Sequence, residues 1–182
     1  MQPELPASRI ALRPFTVADA PEVQRLAGDA LVAETTLAIP HPYPDGAAED
    51  WISSHEPGYT ARREITYAIA LKSDGKLLGA INLLAISVQH SRCEIGFWVG
   101  REYWSRGFCT EAAERLTSYA KDHLGITRIA ARCLARNGAS ARVMVKLGMQ
   151  PEGRLVQHVL LKGIYEDVLL FGLNLPGRGA RA

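Results

Sequence analysis

Trp104-Ser105-Arg106-Gly107-Phe108-Cys109-Thr110-Glu111-Ala112-Ala113 is a short loop with one glycine that runs straight into a strongly patterned helix. Immediately upstream, Cys93-Glu94-Ile95-Gly96-Phe97-Trp98-Val99 reads as a strand. A strand, a tight loop and a helix in that order aim free backbone N–H groups and a helix dipole at an anion, most often a phosphate. Small and hydroxyl residues at the helix start leave those N–H groups accessible, and Arg106 adds a cation suited to a phosphate diester. A plain strand-to-helix connection with a solvated arginine is the competing reading of the same residues.

Downstream, Ala112, Ala113, Leu116, Tyr119, Ala120 and Leu124 recur at helical spacing, which predicts a helix from Phe108 to Leu124 with Gly125 as its stop. Arg128 to Cys133 reads as a strand. Asn137 caps a second helix to Leu147, ended by Gly148, and two more strands follow over about Glu152–Leu160 and Tyr165–Leu173. Upstream the pattern is different. A first strand ends at Pro14, a helix capped by Thr16 runs from Val17 to about Gly28, and a proline-rich loop over residues 38 to 46 carries His41 and Tyr43. A helix over Ala47 to His55 follows, then Ile65–Leu71, the Ser73-Asp74-Gly75-Lys76 turn, Leu77–Ile86 and Arg92–Val99 as an antiparallel meander. A meander joined to a strand–helix–strand–helix run predicts an α+β (mixed α/β) fold with a mixed sheet. One domain over residues 1–182 is expected, with residues 1–8 and 175–182 as frayed tails.

Composition narrows the function. Hydrophobic content is 47% and charged content 22%, ordinary values for a globular chain. The net charge of +2 is too mild for a nucleic-acid partner, and the short basic tail Arg178-Gly179-Ala180-Arg181 reads as a terminus rather than a binding patch. Three widely spaced cysteines form no disulfide framework, and no metal site is expected. No apolar run approaches a membrane span, and Glu4 and Pro6 lie where a signal peptide needs an apolar core, so a cytoplasmic protein is expected.

Five groups of side chains are candidates for chemistry. Glu94 alternates with Gly96 and Trp98 on one strand face; it is either structurally paired or a base acting through water. Asn137 is a helix cap first, and Ser140 in the turn it caps can donate to a leaving group. Cys133 lacks a recognisable His and Asp or Asn partner, which argues against a thiol nucleophile. Tyr165-Glu166-Asp167 reads as a solvated turn or a cation-binding pair, and His41 and Tyr43 sit where substrate lids often occur.

Three segments together resemble the Gcn5-related N-acetyltransferases (GNAT), in the ribosomal-protein N-terminal branch of RimJ/RimL type. They are Glu94-Ile95-Gly96-Phe97-Trp98-Val99, Tyr103 to Ala112, and Asn137-Gly138-Ala139-Ser140 running to Lys146-Leu147-Gly148-Met149. The opening Arg9-Ile10-Ala11-Leu12-Arg13-Pro14-Phe15 and the closing Asp167-Val168-Leu169-Leu170-Phe171-Gly172-Leu173 also fit, so the resemblance covers nearly the whole chain. It implies a twisted mixed sheet of about six to seven strands, splayed in the middle and flanked by about four helices. Acetyl-CoA would lie in the splay. Phe97, Trp98 and Val99 would bond its pantetheine arm, and Ser105, Arg106, Gly107, Phe108, Cys109 and Thr110 would hold its pyrophosphate. Asn137 and Ser140 would face the thioester end. An amine attacks the thioester directly and coenzyme A leaves. Many members protonate the thiolate with a tyrosine where this chain has Met144, so Ser140 is the implied acid and Glu94 the candidate base. Cys133 matches a cysteine of that branch.

The expected activity is acetyl transfer to a primary amine, the N-terminal amine of a protein in this branch. The alternatives are a small-molecule amine such as a polyamine, aminoglycoside or amino acid, and a silent acyl-CoA-binding module. Apolar residues in the last strands fit either a homodimer contact or core packing.

Overall fold

The computed structural model describes residues 2 to 176. Its strands are β1 (Leu5–Pro6), β2 (Ile10–Arg13), β3 (Ile65–Leu71), β4 (Leu77–Ser87), β5 (Arg92–Val99), β6 (Arg128–Leu134), β7 (Gln150–Leu161) and β8 (Ile164–Asn174). Its helices are α1 (Ala20–Ala27), α2 (Ala30–Glu34), α3 (Ala47–Ser53), α4 (His55–Thr60), α5 (Phe108–Leu124) and α6 (Gly138–Lys146). The strands form one open mixed sheet in the order β1-β2-β3-β4-β5-β6-β8-β7.

The centre of the sheet follows from composition. In β3, Ile-Thr-Tyr-Ala-Ile-Ala is buried at every position, as a strand covered on both faces must be. The apolar stripe of α5, Ala112, Ala113, Leu116, Tyr119 and Ala120, packs on β1, β2, β4 and β5, while α1 packs on β4 and α3.

One interruption of the sheet makes the site. β5 runs parallel to β6 for three pairs only, Arg92 with Arg128, Cys93 with Ile129 and Glu94 with Ala130. β5 stays paired to β4 as far as Val99, and β6 stays paired to β8 as far as Leu134. The two middle strands therefore part after Glu94.

Several expectations need correction. Among the described residues the sheet has eight strands rather than about six to seven, and six α-helices flank it rather than about four. The N-terminus is not frayed: β1 pairs with β2, Leu5 is buried, and Gln2 Nε2 donates to the Thr66 carbonyl at 2.8 Å. Nor does a tail start at 175, since the Leu175 N–H donates to the Thr127 carbonyl at 2.8 Å. The basic residues Arg178 and Arg181 lie outside the described residues. The helix expected from Val17 opens as a 3-10 turn over Val17–Asp19, with Pro21 in the first turn of α1. The helix expected over Ala47–His55 is two, α3 and α4, the second tolerating Pro57 in its first turn. Among the described residues no helix is long and apolar enough to cross a membrane.

At the start of α4, His55 is 7% exposed. Its ring lies 4.5 Å from that of Trp51 and 5.4 Å from that of Phe15, and neither ring nitrogen has a hydrogen-bond partner among the described residues. Burial pushes its pKa down from the usual 6.5 to about 4. The folded chain thus holds the neutral ring while the unfolded chain charges it. Stability is full above pH 6.5 and falls as the pH drops toward 4, by about 3 kcal/mol from this residue. Melting temperatures of the wild type and His55→Phe between pH 7.5 and 4.5 check this. The wild type is expected to lose more stability over that window, and parallel curves would remove His55 as the cause.

Candidate active site

A groove of ≈ 330 Å³ lies where β5 and β6 part. Phe97, Trp98 and Val99 line it from β5; Ser105, Gly107, Phe108, Cys109 and Thr110 from the loop and first turn of α5; and Asn137 and Ser140 from the start of α6. Strand, loop and helix caps widely separated in sequence thus meet in one cavity. The loop turns sharply, with φ of +61° at Ser105 and +81° at Gly107, the residue that precedes the first turn of α5. This backbone presents successive N–H groups at a helix N-terminus, an arrangement suited to an anion.

The start of α6 is more specific than a helix cap. Asn137, only 8% exposed, accepts the Ser140 N–H on Oδ1 at 3.0 Å. Its Nδ2 donates to the Thr35 carbonyl at 2.8 Å and to the Ser140 hydroxyl oxygen at 2.9 Å. Because that oxygen already accepts a hydrogen bond, the hydroxyl's own hydrogen is left to donate. Asn137 therefore both caps the helix and orients Ser140 as a donor, while the carbonyl at the end of α2 fixes Asn137.

A latch holds the other end of the groove. Glu111 accepts the Arg9 N–H at 2.6 Å and the Ile10 N–H at 3.4 Å on Oε1, and Arg9 Nε on Oε2 at 2.8 Å. Arg9 Nη1 donates to the Arg106 carbonyl at 3.0 Å, and the guanidinium lies 4.8 Å from the centre of the Phe108 ring. Burial pushes the Glu111 carboxyl up, but the N–H groups and charge of Arg9 outweigh it and hold the carboxyl below the usual range. The loop that opens α5 is thereby tied to the start of β2.

The model of the acetyltransferase (GNAT) domain matches residues 9–150. The chain belongs to the GNAT acetyltransferases. It is 33% identical over 118 residues to YoaA of Bacillus subtilis, an uncharacterized N-acetyltransferase, covering 65% of this chain and 67% of that protein. It is 27% identical over 84 residues to a ribosomal-protein alanine N-acetyltransferase of Escherichia coli, covering 46% of this chain and 43% of that protein. A solved RimL, a ribosomal-protein alpha-N-acetyltransferase in complex with coenzyme A, superposes with a TM-score of 0.86 at 20% identity, covering 95% of this chain and 98% of that one. For three of the curated relatives, the matched stretch spans 55 to 67% of their length.

Acetyl-CoA is the cofactor of this family, and the groove fits it. Its anionic end suits the loop at α5. The groove also carries Arg142 and Lys146, which Val143 joins on the same face of α6, and an apolar wall of Val32, Phe97 and Phe108 suits the pantetheine arm. Those α6 cations went unremarked in the sequence, although their i, i+4 spacing places them on one helix face. Val32, Thr35 and Thr36 were also missed, because α2 is only five residues long and its one signal is Asp29, which accepts the Leu31 N–H at 2.8 Å.

Two expected GNAT site residues do not line the groove. Glu94 sits at the last pair of β5 with β6, where the strands have not yet parted, and its carboxylate accepts from Arg132 Nε at 2.8 Å. Arg106 is exposed and contributes its carbonyl to the Arg9 latch. Met144 is 2% exposed in the core, so position 144 turns away from the groove and supplies no acid. Burial pushes the Cys109 thiol up to about 12 and raises that of Cys133, which keeps both protonated and poor as nucleophiles.

The latch makes a prediction. Glu111→Ala is expected to raise the KM for acetyl-CoA about fivefold while kcat stays within about twofold, since the loop loses its tether but the thioester end is untouched. Glu111→Gln, which still accepts N–H groups, should recover part of the loss. A KM equal to wild type in steady-state kinetics of Glu111→Ala would make the latch irrelevant to the cofactor.

Proposed function

We propose that this chain transfers the acetyl group of acetyl-CoA to the N-terminal amine of a protein. The observation that carries the transfer is the Ser140 hydroxyl, oriented by Asn137 at the groove with its hydrogen free to donate. Acetyl-CoA, when bound, supplies a thioester whose acetyl carbon an amine takes directly, the C–S bond breaking as the C–N bond forms. Ser140 would give its proton to the departing sulfur and regain the one that the amine nitrogen loses as it becomes the amide, so the hydroxyl ends as it began. Asn137 holds that hydroxyl in line, and the loop from Ser105 to Thr110 with Arg142 and Lys146 anchors the phosphates so that the acyl end is presented repeatedly in one position. Glu94, held by Arg132, takes no part in this assignment.

Similarity to a ribosomal-protein alanine N-acetyltransferase supports a protein N-terminus as the acceptor. The test is acetylation of alanine- and serine-led peptides, with mass spectrometry locating the acetyl group. Modification of the α-amine supports the reading; acetylation of spermidine or an aminoglycoside with no peptide turnover replaces it with the small-amine reading. Saturable acetyl-CoA binding without any amine turnover would leave a silent module. Val156, Leu160, Ile164 and Tyr165 are exposed on β7 and β8 and support a homodimer through that hairpin, which sedimentation velocity tests; a monomer at all concentrations would dismiss it.

A further inference from the structure

A second cavity, of ≈ 470 Å³, adjoins the cofactor groove, and Thr36 lines both. It lies between the end of α2, the proline-rich loop and the β7–β8 turn, with Ile39 and Pro40 as apolar wall. Its charges come as two pairs. Lys162 Nζ lies 3.4 Å from Glu34 Oε1, and Arg136 Nε donates to Glu166 Oε1 at 2.7 Å. Arg136 directly precedes Asn137, which ties the second pair to the residue that orients Ser140. All four side chains keep contact with solvent, between 20% and 54% exposed. Ion pairs of this kind hold weakly and exchange partners readily.

The balance of charge decides what fits. Two carboxylates and two cations sum to zero, so the cavity offers a polyamine no net attraction. Such a ligand would strand Arg136 and Lys162 without partners. A plain amine that takes one carboxylate strands one cation. A ligand with its own anion beside the amine inserts into one pair, ammonium to the carboxylate and anion to the cation, and leaves every charge partnered. We infer that this cavity takes an acceptor whose primary amine lies a few bonds from an acidic group, with the ammonium received by Glu34 and the anion by Lys162 while the Arg136–Glu166 pair stays closed. The inference rests on the N-terminal acetyltransferase reading and names the protein: one whose second or third residue is aspartate or glutamate.

Three hexapeptides led by alanine, differing only in glutamate, glutamine or lysine at the second place, are compared as acceptors for the wild type and Lys162→Glu, with free glutamate and spermidine alongside. The glutamate peptide is expected to exceed the lysine peptide in kcat/KM by about tenfold, chiefly through KM, and Lys162→Glu to erase or invert that order. Calorimetry with acetyl-CoA confirms that the variant is folded. Equal kcat/KM across the peptides, or an order unchanged in Lys162→Glu, overturns the inference while leaving N-terminal acetylation in place. Turnover of free glutamate but of no peptide, sensitive to Lys162→Glu, keeps the acidic-amine chemistry and overturns the protein N-terminus. Turnover of spermidine alone overturns both.

Discussion

Gly107→Glu is expected to abolish acetyl-CoA binding by an otherwise folded chain. Gly107 holds φ at +81° directly before the first turn of α5, inside the backbone turn assigned to the pyrophosphate. With the pyrophosphate seated in this turn, a carboxylate there would come within a few ångströms of its oxygens, where two like charges repel by about 4 kcal/mol at an effective dielectric near 20. The expected loss is at least about 100-fold in affinity. Strain alone does not reach that size. Gly107→Ala carries the same left-handed backbone cost, about 1 kcal/mol, and its Cβ would sit 3.4 Å from Arg9 Nη2, a contact a flexible side chain can relieve. It should bind within about tenfold of wild type. Calorimetric titration of both variants, with circular dichroism to verify the fold, separates charge from strain. Undiminished binding by Gly107→Glu would move the phosphates away from this loop.

Ser140→Ala is expected to lower kcat at least about tenfold, which is about 1.4 kcal/mol of transition-state stabilisation, with acetyl-CoA affinity near wild type. The asymmetry follows from the hydrogen bonds. Asn137 Nδ2 keeps the Thr35 carbonyl as a partner, so the groove retains its shape, while the proton for the sulfur is gone. Met144 cannot substitute, being buried in the core. An unchanged kcat in steady-state and single-turnover assays would take Ser140 out of the reaction.

The parts of the fold that were legible are those written in short spans. The bounds of β3, β5 and α5 match the sequence reading because alternation, helical spacing and the flanking Gly107 and Gly125 act within a few residues. Ten of the expected site residues line the groove for the same reason: each belongs to a local strand, loop or cap motif. The misses have the opposite character. β1 has two residues and exists through its pairing with β2, and α2 has five and is held between Asp29 and the Asn137 side chain. Neither is long enough to register as a pattern.

By itself the sequence determined the types of the longer elements, the glycine turn that opens α5 and the Asn137–Ser140 cap, since dihedral preference, capping and periodicity are local properties of the chain. Only the tertiary structure decided where β5 and β6 part, that Glu94 goes to Arg132 rather than to the groove, that Met144 faces the core, and that Arg9 and Glu111 clasp the loop that opens α5. Those outcomes depend on partners far along the chain, 102 residues away for both the Arg9–Glu111 and the Asn137–Thr35 contacts. Which distant group fills a given hydrogen bond is set by packing of the whole sheet, and no pattern of neighbours encodes it.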